Sequence, residues 1–146
     1  QSWYDSTLFI FVADHSHTSY KNHRMESFDH HKIPMLIYGE PLQDSLKGKT
    51  FDKICGNTDL PAMILAQLGL NHDEFFWSKD MFGKCYKPFA FFELNNGFGW
   101  KTPDGEFVYS NSGKYIKNTL PETMRDSVAL DGKAYMQYHI DLFNLY

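Results

Sequence analysis

No apolar run in these 146 residues approaches the roughly 20 that a membrane-spanning helix requires. The opening "QSWYDS" lacks the basic start and apolar middle of a secretory signal peptide. Positive charge is in deficit too. Fourteen Lys and Arg stand against 18 Asp and Glu, a net charge of −4 with His neutral. That removes the broad basic field expected of a nucleic-acid binder or a sensor of anionic lipid. Cysteine is scarce, with Cys55 and Cys85 far apart and no CxxC spacing. This favours two unpaired buried thiols and leaves a disulfide open. No Gly-rich loop opens a helix, since "NNGFG" falls among short strands, so the case for nucleotide binding is weak. Neither Cys lies near the histidine-rich stretch, which leaves Cys–His nucleophilic chemistry little support. Carboxylate pairs could be drawn from many positions and signal nothing. Repeats and low-complexity tracts are missing as well.

Aromatic residues are what the chain has in excess: 13 Phe, 9 Tyr and 3 Trp, or 17%. Each buries a large area, so they supply a core although the hydrophobic content is only 42%. The length fits a single domain over residues 1–146, and disorder is excluded as a description of the whole. Residues 7–13 read as a strand apolar on both faces, as in the centre of a helix-covered parallel sheet. "KIPMLIYG", residues 32–39, reads as a parallel neighbour ended by Gly39. Residues 58–68 read as a helix, with Thr58 or Asp59 to cap it and Pro61 in its first turn. Residues 72–84 read as irregular. From Pro88 to Lys117, short runs divided by "NNG", "TPDG" and "NSG" predict an antiparallel meander. A long helix follows from Pro121, weakened by Gly132.

The chemistry concentrates just past the first strand. Five of the seven histidines, His15, His17, His23, His30 and His31, fall in residues 14–31, with Asp14, Glu26 and Asp29 among them. Carboxylates and neutral imidazoles are ligands for Zn²⁺ or Mn²⁺, and the carboxyl end of a buried strand is where α/β sheets bind ligands. A histidine-rich loop is also an ordinary solvated surface, and composition does not choose between the two. His72, in a helix-end loop, and His139, on a helix, read as structural.

"TLFIFVADHSH", "KIPMLIYGEPL", "NTDLPAMILAQLGL" and "FWSKDMFG" occur in that order over residues 7–83. Together they resemble the carboxy-terminal part of a sulfatase-like protein of the alkaline phosphatase superfamily. The closest likeness is to the lipoteichoic acid synthase type, the membrane-anchored phosphoglycerol transferases. The resemblance implies an α/β fold: a partial alkaline-phosphatase-like sheet with covering helices, then the antiparallel β meander and the long terminal helix. It implies that Asp14 and His15 bind a divalent metal (Mn, Zn, Mg or Ca), and that His23 or His30 contacts the transferred phosphate or sulfate. It implies a phosphate- or sulfate-ester substrate, a lipid head group among the candidates, and no nucleic-acid partner.

The family's nucleophile and an acidic metal ligand lie in the amino-terminal part of its domain and have no counterpart here. The chain is therefore expected to be a fragment of a membrane-anchored parent on the extracytoplasmic side, inactive alone. It is expected to lack the partner half of its domain and to form a homodimer through uncovered sheet. A different class of function is a non-catalytic carbohydrate- or partner-binding module built on the aromatic meander, which exposure of Trp100 would favour.

Overall fold

The computed structural model describes residues 3–17 and 23–145 and divides the chain into two compact units, residues 1–52 and 53–146.

In the first unit a short 3-10 turn, Tyr4–Ser6, leads into strand β1, Phe9–Val12. A single helical turn, α1 (Phe28–His31), precedes strand β2, Met35–Tyr38. Ser27 starts α1 by accepting the Asp29 N–H on its side chain. β1 and β2 pair in antiparallel register, Phe9 opposite Tyr38 and Val12 opposite Met35. The expected parallel pairing is therefore corrected. Parallel neighbours need a crossover, usually a full helix, and α1 is one turn long. Gly39 closes β2 where a Cβ would stand 2.4 Å from the Thr7 carbonyl oxygen, at φ +147°, so glycine alone lets the strand ends meet.

The expected two-sided burial of β1 is also corrected. Phe9, Phe11, Leu36 and Tyr38 share one face of the ribbon, and Phe11 is 58% and Leu36 60% exposed. The apolar run records an affinity for burial that this chain leaves unmet on that face.

The second unit opens with a 3-10 turn, Asn57–Asp59, that runs into helix α2, Leu60–Gln67. Pro61 lies in the first turn, where its missing N–H leaves no bond unmade. The meander forms as its turn signals require: β3 (Ala90–Leu94), β4 (Gly97–Thr102), β5 (Gly105–Ser110) and β6 (Lys114–Asn118) lie side by side in chain order, all antiparallel. After a 3-10 turn, Glu122–Met124, the terminal helix α3 runs from Arg125 to Phe143.

Alternation along the strands sends Phe98, Trp100 and Phe107 to one face, where they pack with Leu120, Val128 and Ala129. Phe89, Phe91, Tyr109, Tyr135 and Met136 close the cluster. Each large side chain buried there contributes about 1.5–3 kcal/mol. Gly132 is a contact point, which corrects its reading as a weakness. A Cβ there would lie 2.8 Å from Phe107 and 3.1 Å from Phe98 and Trp100, so its absence lets α3 settle onto the rings. Among the described residues no helix is long and apolar enough to cross a membrane.

Candidate functional site

The residues singled out by sequence for chemistry lie in the first unit, between the end of β1 and α1. Asp14 and His15 follow β1 directly, and their side chains are 89% and 78% exposed. The His15 backbone N–H donates to Asp14 Oδ1 at 2.9 Å, which draws the carboxylate back over the chain. His15 Nδ1 lies 2.8 Å from the Ser16 carbonyl oxygen. A carbonyl can only accept, so Nδ1 carries the proton and a neutral ring presents its lone pair at Nε2. Nε2 stands 3.6 Å from Asp14 Oδ2.

Those two atoms fit one half of a metal centre. Ligands on a tetrahedral ion with bonds of about 2.0–2.1 Å stand roughly 3.3 Å apart. A backbone carbonyl on the second ring nitrogen is the usual way a ligating histidine is oriented. The other half is missing: among the described residues no three His, Cys, Asp or Glu side chains gather into a metal-binding group.

Ser16, unmarked in the sequence reading, ties this tip to α1 through a hydrogen bond from its hydroxyl to the His30 carbonyl. His30 thus enters the neighbourhood by its backbone, and its ring packs edge-on against His31 at 5.0 Å. His31 donates Nε2–H to the Met25 carbonyl at 2.7 Å, closing the loop ahead of α1. Burial lowers its pKa, with the Met25 bond opposing and His30 assisting. His17 is exposed and His23 half-buried, the latter following residues 18–22, which lie outside the described ones.

The other two quoted blocks, in the second unit, serve architecture. Asp59 does not cap α2 with its side chain. It is fully buried and accepts three hydrogen bonds: from Gly56 N–H at 3.0 Å, Lys79 N–H at 3.0 Å and Lys79 Nζ at 2.8 Å. Ser78 Oγ accepts the Ala62 N–H at 2.8 Å, so the start of α2 is capped from 16 residues away. Asp80 turns the chain by accepting the Phe82 N–H at 2.9 Å. The signal for this clamp was an Asp at a helix start and a Ser-Lys pair downstream; their partnership is tertiary and leaves no periodic trace.

Both cysteines are free. Cys55 is half-buried, which raises its thiol pKa, whereas Cys85 is exposed, correcting the expectation that both are buried. Trp100 is 5% exposed and stacks on Phe89 at 4.4 Å, so it cannot serve as a sugar platform. The aromatic face of the meander is the core of its unit.

No family model and no curated protein matches the sequence. Among solved structures, a protein of the alkaline phosphatase superfamily from Vibrio parahaemolyticus matches at 23% identity and a TM-score of 0.63. The match covers 94% of this chain and 37% of that one, so the chain spans little more than a third of its neighbour's length. The likeness is one of fold: an α/β arrangement of the alkaline-phosphatase-like kind.

Proposed function

We propose that this chain is the carboxy-terminal part of a metal-dependent enzyme acting on phosphate or sulfate esters, of the lipoteichoic acid synthase (phosphoglycerol transferase) type. Asp14 and His15 supply two ligands of its divalent metal. The observation that carries the reading is the geometry at the end of β1, where the lone-pair nitrogen of His15 lies 3.6 Å from Asp14 Oδ2. The fold likeness to a superfamily protein supports it.

When bound, a divalent metal there supplies Lewis-acid polarisation of the ester and stabilises charge on the transferred group. The chain's own part is positional. Ser16 holds the His15 tautomer through its carbonyl and anchors the tip on α1 through its hydroxyl. His23 or His30 contacts the transferred group's oxygens, and of the two His30 is fixed on α1. The nucleophile and remaining ligands belong to a preceding portion of a membrane-anchored, extracytoplasmic parent, whose substrate alcohol includes lipid head groups.

Titration calorimetry with Mn²⁺ and Zn²⁺ on the chain and on Asp14→Ala and His15→Ala tests the site. Two protein ligands, where about three are usual, lead to weak binding that each substitution abolishes. Isotherms unchanged by either substitution would overturn the assignment. Turnover of an aryl phosphate or sulfate by the chain alone, lost in His15→Ala, would overturn the half-site reading.

A further inference from the structure

We propose that His139 is an acid-sensitive pin: neutral, it holds the Phe75–Trp77 arm of the second unit against the end of α3, and its protonation releases that arm. The arm is anchored beyond its tip, where Ser78 accepts the Ala62 N–H and Lys79 binds Asp59. Its own bonds only turn the chain, Phe75 N–H to the His72 carbonyl at 2.9 Å and Ser78 N–H to the Phe75 carbonyl at 2.7 Å. Phe75 is 45% and Phe76 61% exposed, so Trp77 is the side chain that fastens the tip. Its ring lies 3.8 Å from that of His139, tilted by 28°, and meets Tyr138 at 4.9 Å and Tyr135 at 5.0 Å. Phe91 of β3 stacks on the same imidazole at 5.8 Å, nearly parallel.

The imidazole sits in this aromatic nest with Nε2 buried and unpartnered among the described residues. A neutral ring accommodates that by carrying its proton on Nδ1 and leaving Nε2 a bare lone pair. An imidazolium must place an N–H at Nε2, where no acceptor waits, and a buried charged donor without a partner is strongly disfavoured. Burial accordingly lowers the His139 pKa, with Glu93 of β3 acting in the opposite direction.

The other titratable groups around it do not change the sign. On α3, burial raises the pKa of Tyr135, Tyr138 offers its ring to Trp77, and Asp141 accepts from the Gln137 side-chain amide at 2.8 Å. Along the arm, Asp73 is engaged with Asn71, Glu74 is exposed, and Lys79 is held between Asp59 and the Phe89 ring. Attraction between a charged imidazole and the Trp77 face opposes release. It gives the missing acceptor no substitute. An open cleft of about 710 Å³ bordered by Phe76, Trp77, His139, Leu142 and Phe143 lets water reach the ring once the tip moves. In acid the second unit then presents the aromatic surface that the stack had closed.

The test is NMR on the full chain. The His139 ring signals should titrate with a midpoint below 6.5. Through the same pH range, amide exchange at residues 75–77 should exceed its intrinsic pH dependence by about tenfold, while β4 and β5 stay protected. His139→Phe should keep the arm closed at every pH. Four results would overturn the proposal: a midpoint at or above 6.5, a pH-independent arm, an unchanged response in His139→Phe, or opening of β4 and β5 together with the arm.

Discussion

The Lys79 ammonium lies 2.8 Å from Asp59 Oδ1, a carboxylate with no exposed surface, and 3.6 Å above the centre of the Phe89 ring. One lysine thus joins the start of α2 to the entry of the meander. Removing the carboxylate strands that ammonium and two backbone N–H groups. Asp59→Ala should cost about 3–5 kcal/mol, the range for breaking a buried pair. Urea unfolding followed by circular dichroism reads it, and a loss under about 1 kcal/mol would mean that water replaces the clamp.

Gly132 sets the distance between α3 and the sheet. In an exposed helix Gly→Ala gains about 1 kcal/mol. Here the added methyl would stand 2.8 Å from Phe107, and overpacking typically costs about 1–3 kcal/mol. Gly132→Ala should therefore lower the thermal midpoint. A rise would show that the rings shift aside without penalty.

Much of the second unit was legible because its signals are local. "NNG", "TPDG" and "NSG" mark turns by residue type, and Pro61 and Pro121 mark helix starts, so the meander and both helices fall where they were expected. What escaped depends on partners distant in sequence. An unbroken apolar run such as residues 8–12 demands burial but is silent on strand direction, and β1 pairs antiparallel. Asp59 read as a helix cap because a cap needs only its neighbours, whereas Lys79 is 20 residues away. In the candidate site, the abrupt change from apolar strand to Asp14 and His15 was legible in the sequence, whereas their proposed role as metal ligands came from the family resemblance. Ser16 was not legible, because its bond to the His30 carbonyl exists only once the loop has closed.

Glu106 gives the second unit an acid-side dependence. Burial works to raise its pKa, but hydrogen bonds from Lys101, at 2.6 Å, and Lys117 outweigh this and hold it below its usual value. A depressed folded pKa means that the stabilisation is fully present above the unfolded value, about 4.3, and is lost as pH falls through the folded one. Glu106→Gln should flatten the fall in stability below about pH 4.3 while lowering stability at neutral pH. Parallel pH curves for the two proteins would remove Glu106 from the acid response.

The ribbon of the first unit bears on solution behaviour. Phe11, Leu36 and Tyr38 lie on one face and are 58%, 60% and 53% exposed, with Trp3 at 54% nearby in the chain. A contiguous apolar patch larger than a few hundred Å² is uncommon on a stable monomer and recruits another surface. Among the described residues this sheet has two strands, and an edge strand presents N–H and C=O groups that favour a further strand. We therefore propose that the chain alone self-associates, most simply as a two-fold dimer with these faces together, since one patch can then satisfy its own copy. Light scattering over a concentration series should give a mass that rises toward the dimer. Phe11→Lys and Leu36→Lys should each return the monomer, because a dimer would bury the new ammonium without a partner. A single monomer mass at every concentration, with no change in either variant, would show that exposure of this face is tolerated.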